Sequence, residues 1–159
     1  MKTVYITRRE TFNAAHKLWR PEWSDEKNQE VFGKCSNHNW HGHNFQLYIT
    51  VKGVPHPETG FVMNLKVLSV LIREHIIEAL DHKNLNLDVP FLTGIMASTE
   101  NMAIAIWDIL DPLVQQHGGE MAKSARNPPK TTHPGQQDID RNEGVHWKEW
   151  KHLPVSPPP

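Results

Sequence analysis

The sequence predicts an α+β domain in which two strands precede two helices, and three patterns carry that expectation. Odd positions from His41 to Val51 are apolar or histidine while Asn44, Gln46 and Thr50 between them are polar, the period-two signature of a half-buried strand. Leu65, Leu68, Ile72, Ile76 and Leu80 then recur at helical spacing, as do Ala103, Ile106, Trp107 and Leu110. A length of 159 residues is that of one domain, so separate cofactor and substrate modules are not expected.

Each element has its own signal. Thr3 to Thr11 is rich in β-branched and aromatic residues, and Phe12, Ala14 and His16 continue on one parity, which predicts a first strand or a strand followed by a bend. The second strand starts at His41. GVPHPETG, residues 53–60, is a turn by its glycines and prolines, after which Asn64 caps the first helix. The second helix starts at Ser98 or Thr99, whose hydroxyl caps it, with Glu100 placed in the electropositive first turn.

Composition changes near Pro112. Most apolar residues lie before it, whereas seven of the 12 prolines lie from Pro128 onward, ending in SPPP. The expected organisation is a folded domain over 1–112 and a Pro-rich tail over 113–159 that is poorly ordered and excluded from central strands. Such a domain is left with an open strand edge.

The formal charge is −1, with 17 basic and 18 acidic residues interspersed, which gives no electrostatic footprint for nucleic acid or an acidic membrane. The single cysteine, Cys35, rules out an internal disulfide or a multi-cysteine metal site and suits a reducing compartment. No apolar run is long enough to span a bilayer, and MKTVYITRRE becomes charged too early for a signal peptide, so a cytoplasmic location is expected.

The chemistry lies in the histidines, 11 in all. His41 and His43, two apart on a strand, leave the same face and can share a metal ion; the alternative is a partly exposed strand face. His16, at the end of the first strand beyond small Ala14 and Ala15, is the candidate third ligand. Three histidines leave zinc one open coordination position, as in catalytic sites. Cys35 lies six residues before His41 in the Gly/Asn-rich FGKCSNHN, either curled over the metal as a reactive thiolate or buried as a small hydrophobe. Asp81 and His82 end the first helix, either as a helix-terminal pair or as a carboxylate–imidazole pair that polarises the thiol.

TFNAAH, CSNHNWHGHN, GFVMNL, LDHKNLNLD and ASTEN, in that order, resemble the 6-pyruvoyl-tetrahydropterin synthase and 6-carboxytetrahydropterin synthase family over about residues 3–112. The resemblance implies the tunnelling fold, an antiparallel sheet with two helices on one face, assembled as a homo-oligomeric ring, commonly a hexamer. It implies zinc held by His16, His41 and His43, Cys35 as the proton-abstracting thiol, Asp81 and His82 as its activating partners, and Ser98, Thr99 and Glu100 at a pterin pocket shared between subunits. The implied reaction eliminates triphosphate from 7,8-dihydroneopterin triphosphate to give 6-pyruvoyl-tetrahydropterin. The spacing from Cys35 to His41 resembles the pyruvoyl-forming members more than queuosine-pathway enzymes with a shorter loop.

The resemblance departs after Pro112. The family continues with two strands and a pterin-anchoring glutamate in a Glu-Thr-x-x-Asn setting; no such motif occurs beyond Pro112, and Glu143 and Glu149 lack the surrounding strand pattern. The C-terminal strand pair is thus expected to be missing or replaced. Two alternatives stand beside the pyruvoyl-forming enzyme: a 6-carboxytetrahydropterin synthase, or a zinc-binding relative impaired by its altered C-terminus. A non-enzymatic interaction module would have to use Trp147, Trp150 and Leu153.

Overall fold

A computed structural model describes residues 2–122 and the main chain of residues 145–149. Strands β1 (Val4–His16) and β2 (His41–Gly53) pair antiparallel along their whole length, from Val4 opposite Gly53 to His16 opposite His41. The predicted parity sets the faces. Phe12, Ala14 and His16 on β1 and Phe45, Leu47, Ile49 and Val51 on β2 are buried, and the Phe12 and Phe45 rings stack at 4.9 Å.

Helix α1 (Asp25–Phe32), between the two strands in sequence, has no counterpart among the sequence expectations because it buries only Asn28 and carries no apolar stripe. Its signal is the cap: Ser24 Oγ accepts from Lys27 N at 3.3 Å, with Asp25 and Glu26 in the first turn. Asn28 accepts from Arg20 N at 2.8 Å and donates to Arg20 O at 2.9 Å, pinning the chain between β1 and α1.

Further helices cover the buried face of the sheet. The first of them, α2 (Leu65–Ile72), is capped by the Asn64 carboxamide on Lys66 N at 2.9 Å and passes through a π turn, Arg73–Ile77, into α3 (Glu78–Leu80). The turn answers a mismatch in the sequence. Leu68, Ile72, Ile76 and Leu80 repeat every four residues, so in an unbroken α-helix their stripe would drift about 40° per step, or about 120° over three. One extra residue in a π turn resets about 100° of this. All four side chains are accordingly fully buried, whereas Leu65, the first of the predicted stripe, is exposed.

The last helix, α4 (Thr99–Gln116), is capped by the Ser98 hydroxyl and corrects the expected boundary at Pro112, because it runs through that proline for another turn. An interior proline costs about 3 kcal/mol. Val114, one turn beyond Leu110 and likewise fully buried, contributes about 1.5–3 kcal/mol toward offsetting it. Gly118, at φ +79°, then reverses the chain, and a Cβ on Gly119 would lie 2.8 Å from Val51 and 2.9 Å from Val114, so only glycine lets the chain reach the sheet there.

Beyond Gly119 the chain returns to the sheet at its edge, where the sequence reading expected a poorly ordered tail excluded from central strands. On one flank β3 (Lys83–Asn84) pairs parallel with Ala14 and Ala15 of β1. On the other, strand β4 (Glu120–Met121) pairs antiparallel with Val51 and Lys52, and β5 (Val145–Glu149) pairs antiparallel with Phe45–Ile49, so both line the outer edge of β2. Met121 and Ala122 are buried. Glu149, read from sequence as lacking a strand setting, ends β5 in register with Phe45. The expected disorder of 123–144 and 150–159, with Glu143 among them, lies outside the described residues.

One carboxylate lies between sheet and helix. Glu10, buried on β1, accepts from Arg8 (2.9 Å), Ser69 (2.9 Å) and Arg73 (3.4 Å). Burial alone would raise its pKa, but these three donors together hold it below its ordinary 4.5. The stabilisation is therefore fully present above pH 4.5 and is lost as pH falls through the lowered folded value. Glu10→Gln should lose that acid-dependent part and cost about 1–3 kcal/mol near neutrality, read from urea unfolding at pH 7 and pH 4. Equal stability of the two proteins at pH 7 would show that the carboxylate contributes nothing.

Candidate metal centre

The β1–β2 ladder ends on histidine. His16 and His41 are directly opposite, and His43 is one pleat further along β2, so all three imidazoles leave the helix-covered face at one end of the sheet. One ring nitrogen from each lies within 4.8 Å of the other two, and His43 Nε2 is 3.0 Å from His16 Nε2. The ring centroids are 4.6–4.8 Å apart, and Phe45 packs edge-on beneath His43 at 5.5 Å.

The main chain sets this arrangement. Trp40 adopts φ +66°, a conformation costly for a bulky residue, where the turn from Asn37 enters β2 at His41. His16 Nδ1 lies 2.7 Å from the Ala97 carbonyl, and since a carbonyl only accepts, Nδ1 carries the proton and Nε2 presents its lone pair to the other histidines. Ala97 is itself fully buried, immediately before the Ser98 cap, where Asn101 Nδ2 donates to Met96 O at 2.9 Å. Half-buried Ser98, Thr99 and Glu100 therefore sit at a helix N-terminus joined to a candidate ligand by one hydrogen bond.

The donor set fits a metal ion. Tetrahedral zinc with bonds of about 2.0–2.1 Å would hold its nitrogens about 3.3 Å apart, near the 3.0 Å between His16 and His43 and inside the 4.8 Å that bounds all three donors, and three neutral imidazoles leave a position open. Iron, nickel or copper would also accept imidazole.

Cys35 lies half-buried in a 3-10 turn, Gly33–Ser36, and its carbonyl accepts from Leu18 N at 2.8 Å. That bond ties the cysteine segment to the chain two residues beyond His16. Asp81 and His82 sit on a different element, along the outer edge of β1. Asp81 Oδ1 accepts from Asn13 N at 2.8 Å, and His82 N donates to Asn13 O at 2.6 Å, so both polar groups of the Asn13 main chain are clamped. The Asn13 N–H holds the Asp81 carboxyl below its ordinary range, and His82, whose Nδ1 is 2.9 Å from Asp81 Oδ2, adds to this. His82 adopts φ +58° and its side chain is 78% exposed, which leaves the ring open to a further ligand or subunit. Ala97 and Asn13 had no counterpart among the sequence expectations, because their contributions are main-chain atoms that no residue type signals.

The sequence profile of the 6-pyruvoyl tetrahydropterin synthase family matches residues 5–125, most of the chain. The chain belongs to that family. It is 46% identical over 109 residues to the human 6-pyruvoyl tetrahydrobiopterin synthase, covering 69% of this chain and 75% of the human one. Against the Poecilia reticulata enzyme of the same name it is 50% identical over 104 residues, covering 65% and 71%. The structure of Caenorhabditis elegans 6-pyruvoyl tetrahydropterin synthase superposes with a TM-score of 0.66 at 36% identity, covering 70% of this chain and 79% of that one. The fold is thus the tunnelling fold of the family, with curled sheet and helices on one face.

The triad makes a direct prediction. Metal analysis of the purified protein should give one divalent ion per chain, falling to none in the His41→Ala/His43→Ala double variant. A double variant that keeps its metal would exclude these ligands.

Proposed function

We propose that this chain is a zinc-dependent 6-pyruvoyl tetrahydropterin synthase, a carbon–oxygen lyase that takes 7,8-dihydroneopterin triphosphate. The observation that carries the reading is the three-imidazole cluster at the ladder end, tied through Ala97 to the helix N-terminus at Ser98, in a chain of this family. Zinc held by His16, His41 and His43 supplies Lewis acidity toward the hydroxyls of the substrate side chain. Cys35, as thiolate, takes the proton from the side-chain carbon. The electron pair of that C–H bond passes into the C=N bond of the pterin ring, reducing it as the side chain is oxidised; loss of a second side-chain proton then forms a carbon–carbon double bond as triphosphate leaves with the C–O bonding pair, and tautomerisation gives the two carbonyls with no outside reductant. Asp81 orients His82, whose exposed ring relays protons to or from the thiol. Ser98, Thr99 and Glu100 bind the pterin at the helix N-terminus.

Glu149 supplies the pterin-anchoring carboxylate in this reading. Its support is register: it is aligned with Phe45, a position on the sheet face that carries His43. The β5 pairing favours an active enzyme over an impaired relative. A homo-oligomeric ring, hexameric as in the family, would share the pterin pocket at Ser98, Thr99 and Glu100 between subunits. No helix among the described residues is long and apolar enough to cross a membrane, and a cytoplasmic location fits a chain with a single cysteine.

Incubation of the purified protein with 7,8-dihydroneopterin triphosphate should release triphosphate and a product of the mass of 6-pyruvoyl-tetrahydropterin; the carboxy product instead would assign the queuosine pathway. Cys35→Ala should retain its metal and lose turnover by at least about 100-fold, the low end of general-base contributions. Glu149→Gln should raise KM by roughly 10-fold or more with metal content unchanged, as expected for a lost charged hydrogen bond. Unaltered turnover in Cys35→Ala would remove the thiol from the mechanism.

A further inference from the structure

Two short strands on one sheet edge normally mean two separate visits of the chain. Here their registers join. Along β2, Lys52 faces Glu120 and Val51 faces Met121, Thr50 O accepts from Ala122 N at 2.9 Å, and the next residue, Ile49, faces Val145, followed by Tyr48 with His146 and so on to Phe45 with Glu149. No β2 residue is skipped between β4 and β5, and both run in the same direction. Eight successive positions of one edge, Lys52 back to Phe45, are therefore filled by Glu120–Ala122 and then Val145–Glu149, as a single strand would fill them.

The alternation is also kept. Met121 is opposite Val51, Val145 opposite Ile49 and Trp147 opposite Leu47, all positions of the buried face of β2. A return that was off by one residue would have put Val145 and Trp147 at solvent-face positions. The sequence agrees. Residues 123–144, KSARNPPKTTHPGQQDIDRNEG, contain only Ala125 and Ile139 as apolar residues and three prolines, so this stretch offers almost nothing to a core or a ladder. VHWKE on its far side alternates as a strand should.

We infer that β4 and β5 are two halves of one edge strand, and that residues 123–144 are an insertion in that strand which the fold does not need. The inference is independent of the reaction the protein catalyses. It accounts for the abrupt change in composition after the second helix without requiring the C-terminal strand to be absent.

The test compares the full chain with two deletions. Removal of 123–144 joins Ala122 directly to Val145 and leaves the register intact. Removal of 123–143 keeps Gly144 and shifts every later residue by one, to the opposite face. The in-register deletion should bind one divalent ion per chain, show the near-UV circular dichroism of the parent, and melt within about 2 °C of it or higher, since a closed loop costs entropy. The shifted deletion should melt at least about 5 °C lower. In the intact chain, hydrogen exchange should find the ladder amides of 145–149 protected together with that of Ala122. An in-register deletion that fails to fold, equal stability of the two deletions, or unprotected amides at 145–149 in the intact chain would each overturn the inference.

Discussion

The antiparallel register of β1 and β2, in which His16 faces His41, is the constraint on which the rest of the structure depends. A slip of one residue would move Phe12, Ala14 and His16 to the solvent face while Phe45 and Leu47 stayed in the core, breaking the ring stack and the histidine cluster together. The same apolar pattern that drives helix packing therefore fixes the histidines, since they occupy the last positions of the buried parity. Where Phe12 and Phe45 close the core, the imidazoles begin, and the site is the end of the core made polar.

That arrangement creates a problem of buried polar groups, and the main chain solves much of it. His16 is 5% exposed, and its Nδ1 proton is taken by a carbonyl that the start of α4 holds in place. Asn13, three residues earlier, has its N–H and C=O occupied by Asp81 and His82, which stops the outer edge of β1 just where β3 takes over. The pair read from sequence as either a helix terminus or a catalytic couple thus has a definite structural role. It ends α3, caps a stretch of strand edge, and still presents the His82 ring outward.

Much of this was legible in the sequence because the signals were periodic or chemical. Alternation from His41 to Val51 marked β2, and the Asn64 and Ser98 caps marked the starts of two helices. What was hidden had no such signature. Helix α1 buries an asparagine rather than an apolar stripe, and the π turn shows only as a four-residue repeat that a helix can satisfy in more than one way. The course of α4 through Pro112 depended on a tertiary contribution, burial of Val114, that works against local propensity. Strand β5 was missed for a different reason: VHWKE is five residues long and separated from its other half by 123–144, so neither half is long enough to read as a strand.

The split edge strand separates two parts of the site by what each depends on. All three candidate metal ligands come from β1 and β2, whose ladder is complete before the chain reaches Glu120, and the carbonyl that orients His16 comes from the residue before the α4 cap. Nothing in that centre waits for β5. The position opposite Phe45, by contrast, is filled only when the chain returns to the β2 edge after residue 144. The histidine centre is therefore a property of the first half of the sheet, set by contacts between neighbouring strands, whereas any carboxylate supplied by Glu149 is conditional on a long-range pairing that bears the entropic cost of closing the intervening segment. The two strands that bracket that segment pair with β2 on the same edge, so the cost falls on that edge pairing, from which none of the three histidines is drawn.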